Sequence, residues 1–214
     1  VEIDIPWINT VVRDRINRGA DPDRFESLVE GLTPDEEPGG VDLDKRLLGN
    51  FQTVAKLGSA TAPVSNWLVD AGPVRAAMER VLGVDRRRDL PTFARESFLA
   101  WAEARDSTVE NPTREAVVYP DLYTNYVAPE RGKAAVRTLE ALGVDVVVPD
   151  APSSGRAPLS QGMVATAESH SHAVYGALAE HVDAGRDVVV VEPSALAMFE
   201  REYEHFLAER SHER

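Results

Sequence analysis

The sequence predicts a mixed α/β protein, with a mostly helical first half and a β-α-β-α-β-α unit after it. Before Asn111-Pro112, apolar residues recur at helical spacing between breaks rich in proline, glycine and acidic residues. After this step, short valine-rich runs alternate with longer amphipathic segments. Such alternation is typical of a parallel sheet with helices on both faces. We therefore expect a helical region at residues 1–112 and an α/β domain at residues 113–214.

The helical segments of the first half are predicted from apolar spacing and from proline and glycine breaks. Apolar residues three and four positions apart follow Pro6, which suits the first turn of a helix. The same reasoning predicts helices at residues 6–18, from 21–22 onward, and at 44–57, 64–71, 74–82 and 91–104. We expect Gly58 to end the third of these helices and residues 33–40 to form a loop.

The elements of the second half are predicted from its valine runs. Strands are predicted at residues 116–119, 144–148 and 188–191, and helices at residues 129–142, 160–184 and 194–210. Strands this apolar suit a sheet that is covered on both faces. Gly143 and Gly185 are placed to end the first two helices, and Ser194 is placed to cap the third.

The charge balance is acidic, with 36 Asp and Glu against 23 Lys and Arg and a net charge of -13. Nucleic acids and anionic membranes select for a basic face, so this balance argues against both as partners. No apolar run approaches the roughly 20 residues of a membrane-spanning helix. No export signal is visible, and we expect a cytoplasmic protein.

Lysine is scarce and occurs only at Lys45, Lys56 and Lys133, while arginine supplies the other cations. An acidic surface with so little lysine is typical of a halophilic archaeon. An acidic protein from a GC-rich bacterium is the alternative. In concentrated salt the screening length falls to about 3 Å, which removes most of the repulsion among the acids.

The chain contains no cysteine, which excludes disulfides and thiolate metal sites. His170 and His172 lie two residues apart, so on a helix they point in different directions and make a poor metal pair. We predict no metal site and no cofactor in this chain.

Three loops follow the predicted strands and carry a family resemblance. They read Tyr-Pro-Asp-Leu-Tyr at residues 119–123, Ser-Ser-Gly at 153–155 and Glu-Pro-Ser-Ala at 192–195. Residues 116–203 resemble one repeat of the cysteine-rich (Cys-Cys-Gly) domain of FAD-linked iron–sulfur oxidoreductases. That family includes the iron–sulfur subunit of glycolate oxidase, the C subunit of anaerobic glycerol-3-phosphate dehydrogenase and the B subunit of heterodisulfide reductase.

The resemblance implies where cluster ligands would stand, and none of them is a cysteine here. In family members that hold a cluster, cysteines occupy the positions of Leu122, Ser153, Ser154, Glu192 and Ala195. Hydroxyl, carboxylate and alkyl groups do not hold iron–sulfur iron as thiolates do. The resemblance therefore implies a degenerate domain, with FAD and iron–sulfur clusters carried by the rest of the parent protein or complex.

The first half extends this resemblance. Residues 1–6 are similar to the stretch after the last cysteine of a ferredoxin-like module, and residues 83–91 are similar to the linker that follows it. The resemblance implies a piece of a larger 2-hydroxy-acid or glycerol-3-phosphate dehydrogenase, with flavin dehydrogenase and ferredoxin-like domains or subunits as partners. We expect this chain alone to have no catalytic residue and to serve a structural, docking or electron-acceptor-side role.

A module that binds a small anion or metabolite is the alternative. Its ligand would enter the emptied cluster pocket, where hydroxyls, a helix N-terminus and an arginine could hold an anion. The possible ligand-binding residues are Asp121, Tyr123, Ser153, Ser154, Gly155, Arg156 and Ser194, of which residues 153–156 would hold the anion. Asp121 and Glu192 could instead bind a cation or shift each other's pKa. A plainer interpretation stays open, in which the serines cap a helix, Arg156 lies on the surface, and Asp121 and Glu192 are solvated or cap helices.

Overall fold

A computed structural model describes residues 4–17, 48–49, 51–82 and 84–208 of the chain. The helices of the first half are α1 (Ile5–Asn17), α2 (Phe51–Ala60), α3 (Val64–Asp70), α4 (Gly72–Leu82) and α5 (Phe98–Glu103). The predicted helix start at residues 21–22 and the predicted loop at 33–40 lie outside the described residues. Within that description, no helix combines the length and apolar character needed to cross a membrane.

Helix α1 confirms the first predicted helix and anchors it to the second half. Val12 is buried, and Asn17 donates from its Nδ2 to the carbonyl oxygen of Gln161 at 3.1 Å. Arg13 donates from Nη1 to the carbonyl oxygen of Ser160 at 3.3 Å. The start of the described chain is therefore held against a turn that follows the second strand.

Helix α2 continues past Gly58 and ends at Ala60, so the predicted stop at Gly58 is wrong. The glycine serves packing instead. A Cβ at Gly58 would lie closer to Cδ2 of Phe93 than two carbon atoms can approach. The missing side chain therefore makes room for the Phe93 ring against the helix.

The sheet has three parallel strands, as predicted: β1 (Arg114–Tyr119), β2 (Val144–Val147) and β3 (Asp187–Val190). The order is β2-β1-β3, so β1 lies in the centre. Val117 pairs with Val147 on one side and with Val188 on the other. The central strand is the most deeply buried of the three, because it alone is covered on both edges and both faces.

The helices of the second half are α6 (Leu122–Tyr126), α7 (Pro129–Ala141), α8 (Arg156–Ser160), α9 (Val164–Asp183), α10 (Pro193–Ala197) and α11 (Tyr203–Ala208), with a π-helical turn at Met198–Glu202. They cover the sheet on both faces, as predicted. Val117 packs in a buried cluster with Val174 of α9, and Val118 packs in a second cluster with Val136 of α7. Phe98 of α5 joins the second cluster, so the helical half contributes to the same core.

The predicted helix at residues 160–184 corresponds to α9, which begins at Val164, and the short helix α8 in front of it was not predicted. A turn separates them, in which the N–H groups of Gly162 and Met163 donate to the carbonyl oxygens of Leu159 and Pro158, each at 3.0 Å. These bonds close the end of α8 and redirect the chain. We call residues 148–155 the serine loop. The turn lets α8 sit directly after the serine loop while α9 crosses the sheet.

The last predicted helix also differs from expectation in its start and in its regularity. It begins at Pro193, and Glu192 caps it rather than Ser194. It then passes through the π-helical turn before α11, and residues 209–210 of the predicted helix lie outside the described residues. Apolar spacing does not predict helix α6, because five residues are too few to show a period.

Candidate functional site

The carboxyl ends of the three strands meet at one edge of the sheet, which is where open α/β sheets bind ligands. Loops follow β1 at residues 120–121, β2 at 148–155 and β3 at 191–192. These loops, with the first turns of the helices after them, contain the positions that the sequence singled out. The candidate site is therefore the space that the three loops border.

Ser153 is buried and held by two side chains from distant parts of the chain. Its N–H donates to Oε1 of Gln52 at 3.2 Å, and its Oγ lies 3.0 Å from Nδ1 of His170. The same Nδ1 lies 3.2 Å from the Ser153 carbonyl oxygen. Burial lowers the pKa of His170 below 6.5, and the hydrogen bond to the Ser153 backbone opposes this shift. A neutral imidazole therefore either accepts the Ser153 hydroxyl proton or donates to the carbonyl.

Two tyrosine hydroxyls hold the serine loop against the core. Tyr119 donates to the carbonyl oxygen of Pro152 at 2.6 Å, and Tyr203 donates to that of Ser154 at 3.0 Å. Burial raises the pKa of both tyrosines, so both stay protonated donors. Ser154 is itself buried, and its Oγ accepts a long hydrogen bond, 3.4 Å, from the N–H of Arg156. The N-cap of α8 is Gly155, and no side chain among the described residues caps this helix.

Gly155 turns the chain from the serine loop into α8. Its φ of +85° lies in the left-handed region that favours glycine. A Cβ at this position would lie 2.9 Å from the carbonyl oxygen of Ala167. The loop backbone therefore packs directly on α9, and the position accepts no side chain without a shift.

Asp121 is buried, with 3% of its surface exposed, and caps helix α6. Its Oδ1 accepts from the N–H groups of Tyr123 at 3.0 Å and Thr124 at 2.9 Å. Its Oδ2 is buried and has no hydrogen-bond partner among the described residues. Burial raises the pKa of Asp121, and the charge of Glu192 raises it further, while the bonds from Thr124 and Tyr123 oppose both. The first and third loops thus place two carboxylates within electrostatic reach of each other.

Glu192 closes the third loop on itself. One carboxylate oxygen, Oε2, accepts from the N–H of Ala195 at 2.9 Å and from the hydroxyl of Ser194. Ala195 is buried in the same cluster as Tyr119. Both family ligand positions of this loop are therefore occupied by a helix cap and a core methyl group.

A cavity of about 290 Å³ lies between the first two loops and helix α2. We call it the strand-end cavity, and its walls include Gln52, Lys56, Leu122, Asn125, Asp150 and Ser153. It brings together two of the five family ligand positions, Leu122 and Ser153. The lining residues of this cavity do not include Ser154, Glu192 or Ala195.

Arg156 and Tyr123 are not among the residues that line the strand-end cavity. Nη1 of Arg156 lies 3.0 Å from Oε1 of Glu202, and this pair borders a different cavity near α1. Tyr123 is 42% exposed, with the guanidinium of Arg131 above its ring at 5.4 Å. The structure therefore separates residues that the sequence grouped into one anion site.

The residues at the family ligand positions do not fit an iron–sulfur cluster. The chain supplies no thiol, and the hydroxyl and carboxylate groups in their place are engaged with protein donors and acceptors. In the described part of the chain, no group of three or more His, Asp or Glu side chains could hold a metal ion.

Sequence reasoning missed the residues that reach the site from elsewhere. Gln52 and Lys56 come from α2. No local sequence pattern predicts that this helix packs against a loop about a hundred residues further along the chain. His170 offers a weaker signal, because it lies on α9, the second helix after the serine loop. The spacing of the histidines only shows whether His170 and His172 could bind a metal together, whereas the hydrogen-bond partner of His170 is Ser153.

Comparison with known proteins gives a distant and partial match. Over 100 residues the chain is 24% identical to the C subunit of anaerobic glycerol-3-phosphate dehydrogenase from two strains of Escherichia coli. The match covers 47% of this chain and 25% of the relative, so the chain spans about a quarter of the relative's length. No family model matches the chain, and no solved structure matches it significantly.

Proposed function

We propose that this chain is a cluster-free module of an FAD-linked iron–sulfur oxidoreductase of the 2-hydroxy-acid or glycerol-3-phosphate dehydrogenase type. It serves a structural role, a docking role or a role on the electron-acceptor side of the complex. The partial similarity to one polypeptide of a dehydrogenase supports the class of parent protein. The parallel sheet with its three loops at one edge supports a family-like frame.

The observation that carries the proposal is the internal use of the family ligand positions. Ser153 bonds to His170, and Glu192 caps α10. Ala195 is buried in the core, and the buried Ser154 hydroxyl accepts from the N–H of Arg156 at 3.4 Å. Side chains that serve the fold in this way are not available to a metal centre, so electrons must pass through cofactors on partner domains or subunits.

The proposal is tested by isolating the natural complex through an affinity tag on this chain. Flavin is measured by absorbance and mass, and iron by elemental analysis of each separated polypeptide. We expect FAD and iron in the complex, with both assigned to partner polypeptides or to sequence outside these 214 residues. A chain that purifies from its native source without flavin or iron in any associated polypeptide contradicts the proposal.

A second candidate function is favoured by the strand-end cavity. Its wall carries Lys56, one of three lysines in the chain, beside the amides of Gln52 and Asn125. A cation with nearby amide donors suits a small carboxylate or phosphate, and the cavity is near the lower limit of ligand pockets, roughly 300 Å³. On this hypothesis the former cluster pocket binds a small anion.

Calorimetric titration with glycolate and with inorganic phosphate tests this second function. We expect saturable binding that weakens at least tenfold in Lys56→Ala. The control is Arg87→Ala, which also removes one positive charge. Arg87 pairs with Asp85 on the surface and does not line the strand-end cavity. Absence of binding, or an equal loss in both variants, counts against a site in this cavity.

A further inference from the structure

A second cavity, of about 320 Å³, lies between α1, α8 and the last helices. We call it the arginine cavity because Arg13, Arg156 and Arg201 all line it. Each comes from a different element: Arg13 from α1, Arg156 from α8 and Arg201 from the π-helical turn. Three guanidinium groups from separate elements therefore meet at one concave surface.

The charge of the arginine cavity is opposite to that of the whole chain. Three arginines face two carboxylates, Asp4 and Glu202, whereas the chain has a net charge of -13. Three arginines gathered in one place repel each other, and an acidic protein has many carboxylates that could neutralise them. A local excess of positive charge on such a protein indicates a preference for an anion.

The guanidinium groups keep donors for a ligand. Arg13 uses one N–H on the carbonyl oxygen of Ser160, and Arg156 uses one on Glu202. Arg201 is exposed, and among the described residues its interaction with Asp4 is electrostatic. Each guanidinium has five N–H donors, so these contacts use a minority of them. The fork of an arginine matches both carboxylate and phosphate oxygens.

Another part of the cavity wall, formed by Trp7 and His205, is fixed in place by ring stacking. The Trp7 ring stacks on the His205 ring, with 4.1 Å between the ring centroids and 8° between the ring planes. Trp7 also packs edge-to-face with Phe206, with 5.4 Å between the centroids. Asp4 accepts from the N–H of Trp7 at 2.9 Å and lies 3.4 Å from Nε2 of His205. A fixed wall of aromatic carbon suits a ligand with a short carbon skeleton, because little ordering is left to be done on binding.

We propose that the arginine cavity binds a small organic dianion, whose anionic groups are two carboxylates or a phosphate. Arg13 and Arg201 contact the anionic oxygens, and the Trp7 and Leu159 side chains border the carbon skeleton. Glu202 positions Arg156 through the 3.0 Å contact between Oε1 and Nη1. The lining residues of this site and of the strand-end cavity do not overlap, so Arg201→Ala and Lys56→Ala report on the two sites separately.

Calorimetric titration of the full chain tests the proposal, with malate as the dicarboxylate probe and inorganic phosphate as the phosphate probe. We expect saturable binding of at least one probe at a site that Lys56→Ala leaves intact, and at least a tenfold loss of that affinity in Arg201→Ala. Arg201 is exposed and its contact with Asp4 is electrostatic, so its variant is expected to fold. Arg13→Lys keeps the charge but loses the fork, and we expect a smaller loss.

Two controls separate this site from general attraction and from the strand-end cavity. Arg87→Ala removes a surface charge and leaves binding unchanged, and Lys56→Ala does the same if the ligand sits among the arginines. Equal losses in Arg87→Ala and Arg201→Ala overturn the proposal, because the attraction is then unspecific. A folded chain that binds neither probe, or that loses binding in Lys56→Ala alone, also overturns it.

Discussion

Asp121 is the residue whose environment departs furthest from what its sequence position suggests. The sequence offered it as a ligand-binding residue, a solvated carboxylate or a helix cap, and the structure makes it a helix cap that is buried, with one oxygen, Oδ2, unpartnered among the described residues. Only Oδ1 is needed for the cap. The second oxygen and the charge therefore cost stability, and the neighbouring charge of Glu192 adds to that cost.

Replacing Asp121 by asparagine keeps the capping oxygen and removes the charge. The folded-state pKa lies above the unfolded value of 3.8, so the folded state gains stability from the protonated carboxyl below that pH. It loses this stability as the pH rises through the raised pKa. We therefore predict that Asp121→Asn raises the free energy of unfolding at pH 7 by about 1 kcal/mol, measured by urea denaturation.

The matched control is Asp121→Ala, which removes the cap together with the charge. Loss of an N-cap costs about 1 kcal/mol, so we expect the alanine variant to fall below the asparagine variant by at least that amount. A loss of stability in both variants at pH 7 contradicts the assignment, because it means that the ionised carboxyl is needed.

Protonation of His170, which contacts the serine loop, makes the stability of the protein depend on pH. Its pKa is lowered from 6.5 by burial, so the unfolded chain binds a proton more readily than the folded one. The stability linked to His170 is complete above 6.5 and is lost as the pH falls towards the lowered pKa. We predict that His170→Gln reduces the slope of the unfolding free energy against pH between pH 6.5 and the lowered pKa of His170.

The measurement is denaturation of wild type and His170→Gln at a series of pH values. His172→Gln is the control, since His172 lies on the same helix and faces Glu168 rather than Ser153. If the slopes of wild type and His170→Gln coincide, the histidine is not the group that titrates there.

At the scale of elements, the turn at Gly155 fixes the serine loop on α9. Replacing Gly155 by alanine forces a side chain into left-handed backbone and brings its Cβ to 2.9 Å from the carbonyl oxygen of Ala167. The backbone strain alone costs about 1–2 kcal/mol. We predict that Gly155→Ala lowers the free energy of unfolding by more than that, measured by urea denaturation.

Gly176 supplies the comparison for Gly155 because it lies within α9 with nothing within 4 Å of its ideal Cβ. A glycine in the interior of a helix costs about 0.5–1 kcal/mol relative to alanine, so Gly176→Ala is expected to stabilise the protein. Similar effects of the two substitutions would show that the Gly155 turn is not constrained by α9.

At the scale of the whole molecule, the charge predicts a response to salt. The net charge of -13 is spread over a chain with three lysines, and screening weakens the repulsion among its acids. We predict that raising KCl from about 0.1 M to about 2 M raises the midpoint of thermal unfolding, followed by circular dichroism. A midpoint that falls or stays constant contradicts the halophilic interpretation.

The sheet and its helices could be predicted from the sequence because they follow from local patterns. Valine runs mark the strands, and covered strands are apolar throughout. The site could be predicted only to the level of its three loops. Gln52 reaches Ser153, and Glu202 draws Arg156 away from the loops, through contacts between residues that are far apart in the chain. Such contacts depend on how helices pack, which no short pattern records.

The three loops at one edge of the sheet allow a direct test of the five positions at which the resemblance implies cluster ligands. The three loops still open on one edge of the sheet, and the five family ligand positions lie on them or in the helix turns that follow. The resemblance implies that cysteines at those positions would meet. Leu122→Cys, Ser153→Cys, Ser154→Cys, Glu192→Cys and Ala195→Cys together recreate the family pattern.

The central claim is tested most directly by iron and acid-labile sulfide content after anaerobic reconstitution, with the electron paramagnetic resonance spectrum of the reduced protein. For the natural chain we predict no iron above that of a control protein and no cluster signal, whereas the folded variant with all five substitutions takes up iron and sulfide. Stoichiometric iron and a cluster signal in the natural chain would contradict the claim that this module has no cluster of its own.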